Sequence, residues 1–183
     1  NNAPVVFFCQ NNQWAISEPT THQARVPLAQ RGPGFGIPSV RVDGNDVLAS
    51  YAVTAEALER ARSGGGPTFI EAFTYRMGAH TTSDDPTKYR SAAEEEFWRQ
   101  RDPIDRLRAY LVAAGELTAE HTAEIDTAAQ ELAEHVRRET KALGRPETTS
   151  MFDHVYASEH QLVAAEREWL TQFEDSFAPA GGA

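Results

Sequence analysis

The fold of this chain is decided close to its first residue, by Val5-Val6-Phe7-Phe8-Cys9-Gln10-Asn11-Asn12-Gln13-Trp14-Ala15-Ile16-Ser17. Its first part, Val5 to Cys9, is an unbroken apolar run rich in β-branched and aromatic residues. Such a short run predicts a strand buried on both faces, as in a parallel sheet. The amide side chains that follow would then lie at the carboxyl edge of the sheet, where open α/β folds bind ligands. The other interpretation is a solvated loop, because Asn accommodates turn conformations well.

Size and charge narrow the classes of function. The chain has 183 residues, which is enough for one domain with a sizeable core. It carries 17 Lys and Arg against 27 Asp and Glu, a formal charge of -10, so we expect no nucleic-acid partner. Its apolar runs are much shorter than the roughly 20 residues that span a bilayer, so we expect no membrane partner. The single cysteine, Cys9, allows no internal disulfide and favours the cytoplasm.

An alternation of strand and helix signals predicts a βαβ unit in the first half of the chain. Residues 39–42 have a strand pattern, Asn45 or Asp46 would cap a helix, and residues 68–75 have the pattern of a second buried strand. We therefore predict an α/β fold with a parallel sheet flanked by helices. The helix would pack through one apolar face, made of Val47, Leu48, Tyr51, Ala55 and Leu58.

The second half is predicted to be helical. Ser91 and Glu94 have the spacing of a capping box, and Asp102-Pro103 has the pattern of a helix start. A long amphipathic helix is predicted at 118–143. We expect one face of it to point inward, made of Ile125, Ala128, Leu132 and Val136.

The predicted strands are few for a buried parallel sheet, because each buried strand needs a neighbour on both sides. The chain also begins at Asn1 rather than Met, with a strand pattern only a few residues later. We therefore expect it to be part of a longer chain or to assemble tightly with another one.

A long polar loop runs from Arg76 to Arg90 and follows the second buried strand. Loops of this length are uncommon in compact domains and are often functional. The two arginines could bind a phosphate or carboxylate, and His80 could donate a proton near neutral pH. The alternative is that the arginines pair with Asp84 and Asp85, and that His80 only orders the loop. Because this loop and the amide turn both leave carboxyl ends of strands, they could face one crevice.

The amide turn could also contribute to a metal site. A hard cation such as Mg²⁺ prefers oxygen ligands and usually keeps phosphates and water in its shell. Asn11 or Asn12 could supply an amide oxygen, and the adjoining turn could supply backbone carbonyls. Neither Asn could hold a metal alone, so a carboxylate and a diphosphate would have to come from elsewhere.

Several motifs in a fixed order resemble one family. Residues 3–17 resemble the end of the thiamine-diphosphate motif that opens with Gly-Asp-Gly and closes with Asn-Asn. The match continues through residues 31–37, 42–47, 74–85, 89–91, 102–104 and 152–156. Together these motifs resemble the alpha subunit of the thiamine-diphosphate-dependent decarboxylating component of 2-oxoacid dehydrogenase complexes. The branched-chain type is the most similar, and the pyruvate type is second.

The resemblance implies an architecture and an activity. Residues 1–90 would be the C-terminal half of the thiamine-diphosphate-binding α/β domain, and residues 91–183 a helical region that packs on it and on partner subunits. The enzyme would be an oxidoreductase that decarboxylates a 2-oxoacid and passes the acyl group to lipoamide on an acyltransferase core. It would be a heterotetramer of two alpha and two beta subunits, and this fragment alone would be inactive.

The resemblance also assigns roles to single residues. Asn12 would bind Mg²⁺ through its side-chain oxygen, and Trp14 through its backbone carbonyl. Thiamine diphosphate would contact Gln10, Asn12, Trp14, Ala15, Ile16, Arg76 and His80. His80 would be the catalytic residue, and Arg76 would help to hold its loop. The rest of the loop would be ordered by Asp84, Tyr89 and Arg90.

Some features depart from the family pattern and leave alternatives open. The Gly-Asp-Gly half of the motif, with its metal-binding Asp, lies outside these residues. Trp14 stands where the family usually has Tyr, which a backbone ligand should tolerate. A fragment that acts only as a subunit interface is one alternative, and an unrelated Mg²⁺-dependent phosphate binder is another.

Overall fold

The computed structural model describes residues 2–177. They form two compact units, of which one extends to Ala119 and the other begins at Glu120. The strands of the first unit are β1 (Val6–Asn11), β2 (Trp14–Ala15), β3 (Glu18–Pro19), β4 (Ser39–Asp43) and β5 (Thr68–Phe73). Its helices are α1 (Thr20–Gln23), α2 (Val47–Arg62), α3 (Ala92–Arg99) and α4 (Pro103–Ala113), with 3-10 turns at Leu28–Phe35 and Pro86–Lys88. The second unit holds α5 (Ala119–Ala142), a 3-10 turn at Thr148–Phe152 and α6 (Gln161–Asp175).

The main sheet confirms the predicted α/β class. Its strand order is β1-β5-β4, and both pairs of neighbours are parallel. Phe73, the last residue of β5, lies opposite Asn11 of β1 and Asp43 of β4. The carboxyl ends of all three strands therefore meet at one edge. β4, α2 and β5 form the predicted βαβ unit.

The helix of this unit packs through a different face from the predicted one. Its buried residues are Ala57 and Ala61, and Ala49 and Val53 are packed against the core beside Val42, Ile70 and Ala72. The five residues expected to be buried are all exposed. The apolar residues of α2 fall on more than one face, and the small side chains occupy the one that lies on the sheet. Small side chains allow the helix backbone to lie close to the strands, which periodicity alone does not predict.

The prediction that β1 is buried on both faces is wrong for this chain. Phe7 and Phe8 point to opposite faces of the sheet and are 46% and 51% exposed, so neither face of β1 is fully covered. β1 also lies at one edge of the sheet. The strand with both faces covered is β5, which lies between β1 and β4.

The helix starts predicted at Ser91 and at Asp102 are confirmed, whereas the capping box expected at Ser158 and Gln161 is not formed, because the N-cap of α6 is His160. The Ser91 hydroxyl accepts a hydrogen bond from the Glu94 amide at 3.2 Å, and the Asp102 carboxylate accepts one from the Ile104 amide at 2.8 Å. The long helix is α5, but the face expected to point inward is exposed, including Ile125 and Leu132. An amphipathic pattern identifies a face suited to burial, without stating what covers it. Among residues 2–177, no helix has both the length and the apolar character needed to cross a membrane.

Candidate functional site

The turn after β1 is held by its own amide side chains. The Asn11 side-chain oxygen accepts a hydrogen bond from the Gln13 amide at 3.0 Å. In the same way, the Asn12 side-chain oxygen accepts from the Trp14 amide at 3.1 Å. Gln13 has a φ of 70°, a left-handed conformation that non-glycine residues adopt rarely and that needs support from its surroundings. The two Asn side chains supply part of this support.

This turn is joined to the start of the 76–90 loop at the same edge of the sheet. The Thr74 amide donates to the Asn11 carbonyl at 2.9 Å, and the Arg76 amide donates to the Asn12 carbonyl at 3.2 Å. The Gln13 side-chain amide donates to the Thr74 carbonyl at 2.8 Å. The structure thus brings together the two segments that the sequence analysis singled out.

Arg76 ties the loop to the far side of the turn. One terminal nitrogen of its guanidinium donates to the Ile16 carbonyl at 2.6 Å and to the Tyr89 hydroxyl at 2.9 Å. The Tyr89 ring lies against the ring of Trp14, with 5.2 Å between the ring centroids. Arg76 therefore contacts both segments at once.

Tyr89 and Asp84 hold the segment that carries His80. The Tyr89 hydroxyl donates to an Asp84 carboxylate oxygen at 2.6 Å, and the His80 backbone amide donates to the same oxygen at 2.8 Å. These two hydrogen bonds, the one from Tyr89 first, lower the pKa of Asp84 from its ordinary value of 3.8. Burial, followed by the Asp84 carboxylate, raises the pKa of Tyr89, so the phenol keeps the proton that it donates.

Arg90 closes the loop from its other end. Its guanidinium donates to the carbonyls of Arg76 and Met77 and lies 3.7 Å from the Glu95 carboxylate. Its side chain is only 3% exposed. The alternative ion pairs with the loop aspartates are therefore not the ones formed. Instead, both arginines order the loop through bonds to backbone carbonyls, to Tyr89 and to Glu95.

The structure brings together only part of the predicted site. A cavity of about 260 Å³ is lined by Gln10, Asn12, Trp14 and Ala15, together with Cys9, Asn11, Thr20, Gln23, Ala24, Leu28 and Arg31. Ile16 is exposed and reaches the loop through its carbonyl bond to Arg76. His80 is exposed and does not line this cavity. Its connection to the turn runs through Asp84, Tyr89 and Arg76.

Sequence reasoning missed Glu71, the acidic residue in the middle of β5. It is fully buried and lines a neighbouring cavity of about 330 Å³ with Asn11, Gln13, Trp14 and Arg41. Its carboxylate accepts hydrogen bonds from the Asn11 side chain at 2.8 Å and from the Ala29 amide at 2.7 Å. A lone Glu within the apolar run of residues 68–75 was the available signal, because a buried carboxylate needs dedicated partners.

The turn offers oxygen atoms that suit a hard cation. The Asn12 side-chain oxygen has two lone pairs and accepts one hydrogen bond from Trp14, so a second lone pair remains available. Trp14 lies opposite Pro19, next to the bond that Thr20 donates to the Gln13 carbonyl at 2.8 Å. At such a non-hydrogen-bonded position the Trp14 carbonyl points away from β3. No group of three or more His, Cys, Asp or Glu that could hold a metal occurs in the described part of the chain.

Comparison with known proteins identifies the family. A family model described as the dehydrogenase E1 component matches residues 1–149. The chain belongs to this family. The resemblance noted in the sequence motifs is thereby confirmed.

Several alpha subunits are similar to this chain. The 3-methyl-2-oxobutanoate dehydrogenase subunit alpha of Mycobacterium tuberculosis is 49% identical over 172 residues, which cover 91% of this chain and 46% of the relative. The pyruvate dehydrogenase E1 component subunit alpha of Acholeplasma laidlawii is 46% identical over 158 residues, which cover 85% of this chain and 46% of the relative. The mitochondrial 2-oxoisovalerate dehydrogenase subunit alpha of Homo sapiens is 54% identical over 114 residues, which cover 61% of this chain and 26% of the relative. The chain thus spans half or less of the length of these relatives.

Replacing Tyr89 by phenylalanine is expected to loosen the His80 segment. The change removes the hydroxyl that accepts from Arg76 and donates to Asp84. Two hydrogen bonds are lost, so amide hydrogen exchange of residues 77–88 should rise by at least roughly five-fold, the factor that a single lost hydrogen bond carries. Tyr51→Phe, at an exposed tyrosine of α2, is the matched control and should leave this exchange unchanged. Equal exchange in Tyr89→Phe and in the unmodified protein would show that the Tyr89 hydroxyl does not hold the His80 segment.

Lowering the pH below 3.8 is expected to release the same His80 segment. Hydrogen bonds lower the folded-state pKa of Asp84. Its contribution to the stability of the folded segment is therefore fully present above pH 3.8, and it is lost as the pH falls through the lowered folded-state pKa. The fluorescence of Trp14, recorded with Trp98 and Trp169 replaced by phenylalanine, should report this step because Trp14 contacts Tyr89. The step should vanish in Asp84→Asn. A midpoint above 3.8, or an unchanged step in Asp84→Asn, would show that Asp84 is not the group responsible.

Proposed function

We propose that this chain is part of the alpha subunit of a 2-oxoacid dehydrogenase that binds thiamine diphosphate with Mg²⁺. The complete enzyme decarboxylates a 2-oxoacid oxidatively and transfers the acyl group to lipoamide. One observation carries the proposal: in a chain of the dehydrogenase E1 component family, the Asn12 turn and the His80 loop are tied together at one edge of a parallel sheet. Ligands of open α/β sheets bind at such an edge.

The proposed substrate is a branched-chain 2-oxoacid. Two similar relatives carry the names 3-methyl-2-oxobutanoate dehydrogenase and 2-oxoisovalerate dehydrogenase, at 49% and 54% identity. Pyruvate is the second candidate, supported by the pyruvate dehydrogenase relative at 46% identity.

The residues at the turn fit the proposed metal and cofactor. Mg²⁺ takes oxygen ligands and keeps phosphate oxygens in its shell, and the Asn12 side-chain oxygen and the Trp14 carbonyl are ligands of this kind. The remaining protein ligands would come from residues outside this chain segment. Thiamine diphosphate would lie along Gln10, Ala15 and Ile16, near Arg76 and His80. When bound, it supplies the electron sink for decarboxylation, and the protein supplies its orientation.

The chain's own contribution to the reaction is positioning and proton transfer. Arg76 and Tyr89 hold the His80 segment against the turn through the bonds at 2.6 and 2.9 Å. This leaves the exposed imidazole of His80 able to hold or move a proton at the reacting centre. His80 is therefore the catalytic residue of this proposal.

The proposal includes partners and a location. A beta subunit, in a heterotetramer of two alpha and two beta chains, would complete the site and supply the acid that activates the cofactor. A lipoyl acyltransferase core would receive the acyl group. The bacterial cytoplasm is the proposed compartment, in keeping with the single cysteine and the mycobacterial relative.

The test is made on the complete alpha subunit, co-expressed with its beta subunit. Reduction of an artificial electron acceptor is measured with 3-methyl-2-oxobutanoate and with pyruvate, with and without thiamine diphosphate and Mg²⁺. We expect turnover that requires both the cofactor and the metal and that favours the branched substrate. Preference for pyruvate would select the second candidate. Binding of ATP in place of thiamine diphosphate, without 2-oxoacid turnover, would reject the proposal.

A further inference from the structure

Glu71 occupies an unusual place for a carboxylate. It lies in the central strand β5, next to Cys9 of β1 and Arg41 of β4, and it is fully buried. A buried carboxylate is costly unless hydrogen bonds and an opposite charge compensate it. The Arg41 side chain supplies the charge, with its Nε 3.5 Å from one Glu71 oxygen and its guanidinium over the Phe73 ring.

The hydrogen bonds of Glu71 determine the orientation of Asn11. One carboxylate oxygen accepts from the Asn11 side chain at 2.8 Å, and the other accepts from the Ala29 amide at 2.7 Å. A carboxylate oxygen only accepts, so the NH₂ group of Asn11 must face it. The Asn11 oxygen is thereby directed the other way, toward the Gln13 amide at 3.0 Å and the Thr20 hydroxyl at 3.3 Å.

The orientation of Asn11 in turn supports the conformation of the amide turn. The Gln13 amide that it accepts from belongs to the residue with a φ of 70°. Gln13 stands between Asn12 and Trp14, the two residues whose oxygen atoms are the metal ligands of the proposed function. If Asn11 rotated, the Gln13 amide would face an NH₂ group and the turn would lose this bond.

We propose that Glu71 and Asn11 are positioning residues that hold the metal-binding turn in its ligating conformation before any cofactor binds. The proposal rests on the proposed function for the identity of the ligand. The chain of contacts runs from a buried carboxylate, through one amide side chain, to the backbone between the two ligating residues. Pre-forming a site in this way raises affinity, because the turn need not be ordered during binding.

The experiment exchanges the two side-chain groups in the complete alpha–beta enzyme. Asn11→Asp places a second carboxylate against Glu71. Glu71→Gln leaves one acceptor oxygen for two donors, so an amide that accepts from Ala29 presents its NH₂ group to the NH₂ group of Asn11. In the double variant the amide introduced at position 71 donates to the carboxylate introduced at position 11, whose other oxygen still accepts from the Gln13 amide. Thr68→Val is the matched control: it changes another buried polar side chain of β5 whose hydroxyl has no hydrogen-bond partner among the described residues.

Two readouts are measured, and the first uses no cofactor. Hydrogen exchange of residues 12–17 in the cofactor-free enzyme reports the order of the turn. The dissociation constant of thiamine diphosphate in saturating Mg²⁺ reports the affinity of the site for the cofactor. Each single variant should speed the exchange and weaken binding by about ten-fold, the effect of one lost buried hydrogen bond. The double variant should return to within about two-fold of the unmodified enzyme.

The proposal is overturned if the single variants exchange and bind like the unmodified enzyme, or if the double variant is weakened by the product of the two single effects. Should Glu71→Gln fail to assemble, Asn11→Ala decides in its place, because it removes the bond to Glu71 and the bonds from Gln13 and Thr20 without adding charge. An unmodified enzyme that does not bind thiamine diphosphate would reject the proposed function. The exchange measurement would then still test the positioning role by itself.

Discussion

Replacing His80 by alanine in the complete enzyme is expected to slow acyl transfer to lipoamide by about 100-fold or more, the range of a positioned acid–base group. The imidazole is exposed on a loop whose backbone is held independently of it, because the bond to Asp84 comes from the His80 amide at 2.8 Å. Assembly with the beta subunit and the order of the loop should therefore change little. The measurement is the rate of acylation of an isolated lipoyl domain by the assembled enzyme.

A matched variant tests whether the loss of any exposed histidine slows acyl transfer, or only the loss of His80. His135→Ala removes an exposed histidine of α5, which lies 2.9 Å from Arg138, and should leave the acylation rate unchanged. Decarboxylation is measured in parallel with an artificial acceptor, so that a defect in transfer can be told from a defect in decarboxylation. A near-normal acylation rate in His80→Ala would remove His80 from the mechanism.

Replacing Asn12 by alanine is expected to weaken Mg²⁺ and thiamine diphosphate together by at least about 10-fold, the lower end for losing even an outer partner of a metal site. The change removes the side-chain oxygen proposed as a ligand, and with it the bond from the Trp14 amide at 3.1 Å. Calorimetric titration of the assembled enzyme with each ligand, at fixed concentrations of the other, measures the coupling. A loss confined to one of the two ligands would contradict a shared site.

Two further variants control this result. Asn12→Asp keeps a side-chain oxygen for both the metal and the Trp14 amide, and should retain most of the affinity for Mg²⁺. Asn2→Ala removes an exposed amide that donates to the Gly64 carbonyl at 2.9 Å, at the opposite end of the strands, and should have no effect. Unchanged cofactor affinity in Asn12→Ala would reject the assignment of Asn12 as a ligand.

Much of the candidate site was predictable because each of its two segments directly follows a recognisable strand pattern. The amide turn directly follows the β1 pattern, and the loop from Arg76 to Arg90 directly follows the β5 pattern. Parallel strands bring such segments to one edge, so their proximity follows from topology. The partners of the loop arginines were not predictable from sequence spacing. Arg90 bonds to backbone carbonyls and lies near Glu95, and it does not pair with Asp84 or Asp85.

Burial was the property that sequence patterns predicted least well. The β1 pattern indicated a strand buried on both faces, but β1 lies at one edge of the sheet and exposes Phe7 and Phe8. The apolar residues of α2 lie on more than one face, and the smaller ones pack on the sheet. Periodicity shows that a face is apolar, whereas the order of strands and the space above them determine whether it is covered.

The sequence by itself determined the class of fold, the helix starts at Asp46, Ser91 and Asp102, and the two segments of the candidate site. These depend on composition and on residues near one another in the chain. Only the tertiary structure revealed the part played by Glu71. Its contacts to Asn11, Ala29 and Arg41 join residues that are far apart in the chain. The role of a carboxylate in an apolar run can be assigned only when the groups that compensate its burial are known.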